Sequence, residues 1–178
     1  GAFVGWRDAR AIRDNPQEVR EVGGFPIELH LDPEQRERDW ERLRAFVTGK
    51  NRDPDYPVFM GYEWQGNGRY GDHNVFYLDD DQPIHPCLKL TELYRLLPRG
   101  RAIAIPHHTA YPVGIRGKNW DVQDEELSPF VEIYSGHGCS EQDLIEDPPT
   151  HNFPMSPSGS GGTVFEGLAR GHKFGIMA

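Results

Sequence analysis

Four apolar stretches of this chain carry side chains that can bind metal ions, and they constrain the fold more than any other feature. Three of them place a carboxylate or an imidazole at or just past the carboxyl end of a predicted strand, namely Glu63, His107 and His137, whereas His73 opens its strand. In α/β barrels the carboxyl ends of the strands converge on the face that carries the chemistry. The pattern predicts an α/β fold in which residues distant in sequence meet at one site. The stretches cover residues 58–64, 72–78, 103–108 and 131–137.

Predicted helices and strands alternate along the chain. The strongest helix signal is Asp32-Pro33, a cap followed by proline at the first helical position, and Gly49 is placed to end this helix. Its predicted buried stripe consists of Trp40, Leu43, Phe46 and Val47. Such alternation indicates an α/β layout with a largely parallel sheet or barrel. We predict helices over residues 15–22, 33–48, 91–97, 140–145 and 163–170, and strands over 58–64, 73–78, 102–106, 131–134 and 174–177.

The composition is that of a folded globular domain. The chain has 178 residues, enough for one domain with a sizeable core. Hydrophobic residues make up 37% and aromatic residues 11%, which is too much apolar content for a disordered chain. No apolar run approaches the length of a membrane span and no leader peptide is visible, so we expect a cytoplasmic protein by default, with export left open.

The charge narrows the class of partner. A formal net charge of −9 argues against nucleic acid, because binding to a phosphate backbone needs clustered Lys and Arg. It does not argue against a small phosphorylated substrate, since metal ions supply local positive charge. Cys87 and Cys139 form neither a disulfide framework nor a cysteine-rich zinc site. The oligomeric state is left open.

Glutamate and histidine at the strand ends are the main candidate ligands. Glu63 lies in an otherwise apolar strand, where a buried carboxylate needs a cation or strong donors; the alternative is a carboxylate that faces water. His107 and His108 follow a buried strand, and neighbours on an extended chain point to opposite faces, so at most one should face the site squarely. Histidine combined with carboxylate suits Zn, Mn or Fe better than Mg or Ca.

Three further residues are weaker candidates. His73 follows a glycine-rich loop that lets the chain approach a ligand closely, although an incidental hairpin histidine is the alternative. His137 lies between two glycines at a strand end, and Glu132 lies inside a strand as a candidate partner that orients a ligand. No P-loop, dinucleotide fingerprint or strand-to-helix nucleophile elbow is present, which excludes nucleotide-cofactor folds and serine hydrolases.

Four short motifs occur in the order that is typical of one superfamily. They are Gly-Tyr-Glu-Trp (61–64), His-Asn-Val-Phe (73–76), Pro-His-His-Thr (106–109) and Glu-Ile-Tyr-Ser-Gly-His-Gly (132–138). Together they resemble the PHP (polymerase and histidinol phosphatase) superfamily, and in particular its large, uncharacterised bacterial members. The resemblance covers residues 58–178. It implies a distorted β/α barrel, related to the TIM barrel, with up to three Zn, Mn or Fe ions at the strand ends and phosphoesterase activity.

The resemblance also assigns ligands by position, and the chain departs from the family pattern in several places. Glu63 matches the bridging glutamate of the family, and His73 and His107 match its next two ligand histidines, whereas His108 stands where many relatives have proline. The opening His-x-His pair and the closing Asp-x-His pair are missing, and Ala9 takes the place of the histidine in the family's second motif, Thr-Asp-His. We therefore expect residues 1–178 to be a single, incomplete PHP-like domain that lacks the first and last metal motifs.

These observations favour a metal-dependent hydrolase of the phosphoesterase type that uses a metal-activated water. Glu63, His73 and His107 are then the predicted metal ligands, and His108 and His137 donate a proton to the leaving group or hold the phosphate. The predicted phosphate contacts in the long loop over residues 109–127 are Arg116 and Lys118. Two alternatives remain: a non-catalytic PHP-like barrel that serves as a binding or scaffold module, and an amidohydrolase-type metal hydrolase.

Overall fold

The described part of the chain forms two compact units. The structure is a computed structural model, and it describes residues 21–22, 25–26, 33–51, 55–114, 116–142 and 161–178. One unit comprises Gly1–Met60 with Tyr77–Ile84, and the other comprises Gly61–Phe76 with His85–Ala178. All of the described candidate residues of the site lie in the second unit.

The first unit is built around one long helix. Two short antiparallel strands, β1 (Glu21–Val22) and β2 (Phe25–Pro26), precede helix α1 (Pro33–Lys50). Trp40 and Val47 are buried, two turns apart on one line of the helix, and the Trp40 indole donates to the carbonyl of Gln82 over 2.9 Å. The predicted stripe is therefore half wrong, because Leu43 and Phe46 are exposed.

A three-stranded sheet organises the second unit. It consists of β3 (Met60–Trp64), β4 (Asp72–Tyr77) and β5 (Ala102–His107), with β4 in the middle. Helix α2 (Leu90–Leu96) lies between β4 and β5 in the chain. In the prediction β5 is buried on both faces, and Ala102, Ala104 and Ile105 are indeed each exposed by 6% or less.

Shorter elements complete this unit. Strand β6 (Phe130–Glu132) pairs in parallel with β9 (Gly175–Met177), and β7 (Tyr134–Ser135) forms a hairpin with β8 (Gly138–Cys139). Helix α3 (Val164–Ala169) precedes β9. A buried cluster of Trp120, Val131 and Val164, with Ile133 and Phe174 against it, joins the long loop to β6 and α3.

Local signals located the elements better than they located their ends. Thr163 caps α3 as an acceptor for the Glu166 N–H, so the helix begins one residue after the predicted start at 163. Helix α2 begins one residue before the predicted start at 91, and Lys89 occupies its capping position without a side-chain bond. Gly49 does not end α1, which continues to Lys50.

The predicted α/β class is confirmed, and the barrel stays a prediction. In the part of the chain that the structure describes, the strands form one three-stranded and three two-stranded sheets and no closed barrel. Of the helix predicted over residues 15–22, only 21–22 are described, and they lie in β1; residues 143–145 of the helix predicted over 140–145 also lie outside the described residues. No helix among the described residues is long and apolar enough to cross a membrane.

Candidate metal centre

Glu63, His107 and His108 come together at one end of the three-stranded sheet. Each offers a ligand atom, and these atoms all lie within 4.8 Å of one another. Glu63 is the second-last residue of β3 and His107 is the last residue of β5, so both stand at carboxyl ends of strands, as predicted. A carboxylate with two imidazoles is a donor set that suits Zn, Mn or Fe.

The backbone at His108 explains why two neighbouring histidines reach the same place. Strand β5 ends at His107, and His108 has a φ of 35°, which lies outside the extended region. Opposite-face alternation holds only while the chain is extended, so the turn swings the second ring back beside the first. Their ring centroids lie 3.9 Å apart. The prediction that at most one of the pair faces the site is therefore wrong.

Asp72 and Arg116 form a buried ion pair against His108. The Nε of Arg116 donates to Asp72 Oδ2 over 2.8 Å, and Nη2 of the same guanidinium lies 2.7 Å from that oxygen. Asp72 is 1% exposed, and burial raises the pKa of its carboxyl to about 6 although Arg116 opposes the shift. Asp72 Oδ2 also lies 3.6 Å from His108 Nε2. A carboxylate of β4 thus lies at the cluster.

His108 is held as a neutral imidazole. Its pKa is lowered to about 4, first by burial and further by the positive charges around it, although Glu63 opposes the shift. Arg116 Nη2 lies 3.3 Å from His108 Nε2, and a guanidinium can only donate. The Nε2 atom is therefore the unprotonated acceptor, which is the state in which a histidine nitrogen binds a metal ion.

Glu132 supports both histidines with one oxygen. Its Oε2 accepts the backbone N–H of His108 over 2.7 Å and lies 2.8 Å from His107 Nδ1, a contact without hydrogen-bond geometry. Burial favours a raised pKa for Glu132, but the contacts with His107 and His108 outweigh it and lower the pKa. Glu132 thus lies against both histidines, and its role in orienting a ligand stays a prediction.

His137 lies beside the cluster on the turn between β7 and β8. Its ring stacks on that of His108 with centroids 4.5 Å apart and planes inclined by 21°. The Tyr111 hydroxyl lies 2.8 Å from His137 Nδ1, and Tyr111 is itself fully buried. Burial, followed by the charge of Arg116, lowers the pKa of His137. The predicted proton donor is therefore held in place next to a candidate ligand.

His73 and Lys118 are not brought into this cluster. The Nδ1 atom of His73 contacts the carbonyl of Gly71 at 3.0 Å, and its Nε2 lies 3.5 Å from Lys118 Nζ. Lys118 Nζ donates to the carbonyl of Val122 over 2.7 Å. Both side chains are fully buried, and burial lowers the pKa of Lys118 to about 7 and that of His73 well below its usual value. Of the two predicted phosphate contacts, only Arg116 lies at the cluster.

Three buried polar atoms of the cluster lack a hydrogen-bond partner. They are Asp72 Oδ1, His107 Nδ1 and His108 Nδ1. Buried polar atoms without partners are uncommon in native structures and often mark a site where a bound group completes the contacts. The donor set, the neutral His108 and the unpaired Asp72 Oδ1 together fit a bound transition-metal ion.

Sequence reasoning missed two residues of the site. Asp72 precedes His73 in the same strand, and because side chains alternate along a strand only one of the two, Asp72, faces the cluster. The available signal for Asp72 was an acidic residue at the start of an apolar strand. Tyr111 carried no signal in its local sequence.

A search of protein-family models, curated proteins and solved structures found no match to this chain. The resemblance to the PHP superfamily stays a prediction.

Proposed function

We propose that this protein is a metal-dependent hydrolase, most simply a phosphoesterase that acts on a small phosphorylated substrate. The observation that carries the proposal is the convergence of Glu63, His107 and His108 within 4.8 Å, with Glu132 against both histidines. Glu63, His107 and His108 are the proposed ligands. The chemistry that a bound Zn, Mn or Fe ion supplies is Lewis-acid activation of water and neutralisation of charge on the phosphoryl group.

The surrounding residues have distinct proposed tasks. Glu132 fixes the ring of His107, and the turn at His108 holds its ring beside it. The Tyr111 hydroxyl, 2.8 Å from Nδ1, orients the ring of His137, and the protonated form of His137 is the proposed proton donor to the leaving group. Arg116, at the edge of the cluster, is the proposed contact for a substrate phosphoryl oxygen.

We also propose that the sheets belong to a PHP-like β/α barrel, as the motif order implies. The candidate ligands lie at the carboxyl ends of β3 and β5, where a barrel carries its site, and β6 pairs in parallel with β9. Strand β4 begins with Asp72 at the edge where β3 and β5 end, so it runs opposite to both, and the support for a barrel is confined to the ligand positions and the parallel pair of β6 and β9.

The test is hydrolysis of a panel of phosphate monoesters and diesters by protein loaded with Zn, Mn or Fe. Glu63→Gln keeps the shape of the side chain but removes its charge, and we expect activity to fall by about a thousandfold or more, beyond the 10–100-fold typical of outer contacts. Glu126→Gln is the matched control, since this carboxylate pairs with Arg99 on an exposed surface. Full activity in Glu63→Gln overturns the assignment.

The rival proposal is a non-catalytic binding module. It is favoured by one observation: the Arg116 guanidinium already provides a cation against Asp72 and His108. Folded protein that takes up no metal and hydrolyses no ester supports this rival. An amidohydrolase-type reaction is separated by adding amides to the panel, because it predicts turnover of amides and none of phosphate esters.

A further inference from the structure

Both the Arg116 guanidinium and a bound metal ion would use the lone pair of His108 Nε2. In the structure Arg116 Nη2 lies 3.3 Å from this nitrogen. Since the guanidinium donates and never accepts, the ring proton of the neutral imidazole is on Nδ1, and Nε2 holds the only available lone pair. Nε2 is also 3.9 Å from Glu63 Oε1, its neighbour in the candidate metal cluster. One lone pair cannot serve an arginine and a metal ion together.

Arg116 also binds Asp72, which lies beside His108. Two nitrogens of Arg116 bind a single oxygen, Asp72 Oδ2, while Oδ1 is buried without a hydrogen-bond partner. Asp72 Oδ2 and His108 Nε2 are 3.6 Å apart. The guanidinium contacts both atoms, and a metal ion bound between them would contact the same two atoms. Arg116 thus takes the electrostatic place of a metal ion in the cluster.

The backbone is strained at Arg116 and closely packed at the next residue, Gly117. Arg116 has a φ of 67°, in the left-handed region that residues with a side chain rarely adopt. The next residue, Gly117, has no room for a side chain, because a Cβ there would lie 1.8 Å from the carbonyl oxygen of Tyr111. The close packing holds the backbone at Gly117, so displacement of the guanidinium from Asp72 and His108 has to occur through rotation of the Arg116 side chain.

We infer that Arg116 and the metal ion compete for His108 and Asp72, so that metal binding displaces the guanidinium and makes Asp72 a further ligand. This inference rests on the proposed metal site. The apparent affinity for metal is reduced by the fraction of molecules in which Arg116 occupies the site. Arg116 therefore acts as a built-in competitor that sets how much metal the protein holds.

The first experiment is calorimetric titration with ZnCl₂ of the whole chain and three variants. We expect Arg116→Met to bind Zn about tenfold more tightly than the unmodified protein, because the competitor is gone. Arg99→Met is the matched control, since Arg99 pairs with Asp124 and Glu126 on the surface, and it should match the unmodified protein. His107→Ala should lose binding.

The variants separate failure of this inference from failure of the proposed function. Equal or weaker Zn binding by Arg116→Met, with binding abolished in His107→Ala, overturns the competition and leaves the metal site standing. Absence of Zn binding in both the unmodified protein and Arg116→Met overturns both.

A second measurement does not depend on a folded variant. Phenylglyoxal modifies exposed arginines, and Arg116 is 7% exposed in the structure. We expect its modification, located by peptide mapping, to rise several-fold on addition of Zn but not of Mg, which this donor set does not favour. Arg99 in the same sample is the internal reference. Unchanged modification of Arg116 in protein that has bound Zn overturns the inference.

Discussion

The two faces of β4 make an instructive comparison. Asp72 and His73 are adjacent in this strand, and both are buried and paired with a basic side chain, Arg116 on one face and Lys118 on the other. The Asp72 face leads to Glu63, whose side chain is 41% exposed, and it leaves polar atoms without partners. On the His73 face both ring nitrogens have contacts inside the protein. Burial and shifted pKa values occur on both faces, so access and unpaired atoms are what distinguish a site from a core.

Replacing His73 should break the comparison most clearly. We expect His73→Ala to destabilise the fold by about 3 kcal/mol, since it leaves a cavity and removes a contact of the buried Lys118. Its metal content should stay that of the unmodified protein. Chemical denaturation and elemental analysis measure the two effects. Loss of metal from a variant of undiminished stability would instead place His73 among the ligands, as the family resemblance implies.

Replacing Glu132 tests whether the histidines on the Asp72 face depend on a carboxylate that contacts them from outside the proposed ligand set. Glu132→Gln keeps an acceptor near the His108 N–H but removes the charge beside His107. Outer partners of metal ligands are typically worth 10–100-fold, so we expect Zn affinity to fall by about that factor. Titration with ZnCl₂ measures it, with Glu126→Gln as the exposed control. An unchanged affinity would show that His107 does not depend on Glu132.

Because Lys118 is buried on the His73 face, the stability of the fold should depend on pH. Burial lowers the pKa of Lys118 from 10.5 to about 7, so between these values the unfolded chain binds a proton that the folded chain does not. The free energy of unfolding should therefore rise by about 1 kcal/mol per pH unit across that window. Urea unfolding between pH 7 and 9 checks this, below the range where Cys87, whose pKa burial raises, opposes it.

Lys118→Met is the comparison for this slope, because it fills similar space without a charge. The variant should show a flatter dependence of the unfolding free energy on pH over the same range. The same slope in both proteins would mean that Lys118 is charged in the folded state.

The smallest effect is expected at Tyr111. Tyr111→Phe removes the hydroxyl that lies 2.8 Å from His137 Nδ1 and leaves the buried ring. A single hydrogen bond contributes about 1 kcal/mol, so we expect hydrolysis to slow by about fivefold while Zn affinity is unchanged. Steady-state kinetics with the best ester of the panel measure it, with kcat rather than KM expected to fall. A change in Zn affinity would instead tie Tyr111 to the ligands.

Much of the element pattern was predictable from local sequence. The apolar runs of β3 and β5 and the Asp32-Pro33 signal located their elements, because capping and strand burial act within a few residues. Glu63 and His107 were found as candidate ligands for the same reason, since each stands at the end of such a strand.

Other features were not predictable because they depend on faces and on distant contacts. Alternation separates Asp72 from His73 but does not say which faces the cluster, and in β4 both faces are buried. The turn at His108 overrides alternation through one backbone angle. Lys118 was taken for a phosphate contact because its partner, His73, lies 45 residues away in sequence.

The most direct test of the account is the metal content of the whole chain, purified without chelator and without a metal affinity step. Elemental analysis should find about one Zn, Mn or Fe ion per chain in the unmodified protein, and far less in His107→Ala of equal stability. Folded protein that holds none of these metals, even after dialysis against Zn, would contradict the metal centre and leave the Arg116–Asp72 pair as the cluster's permanent cation contact.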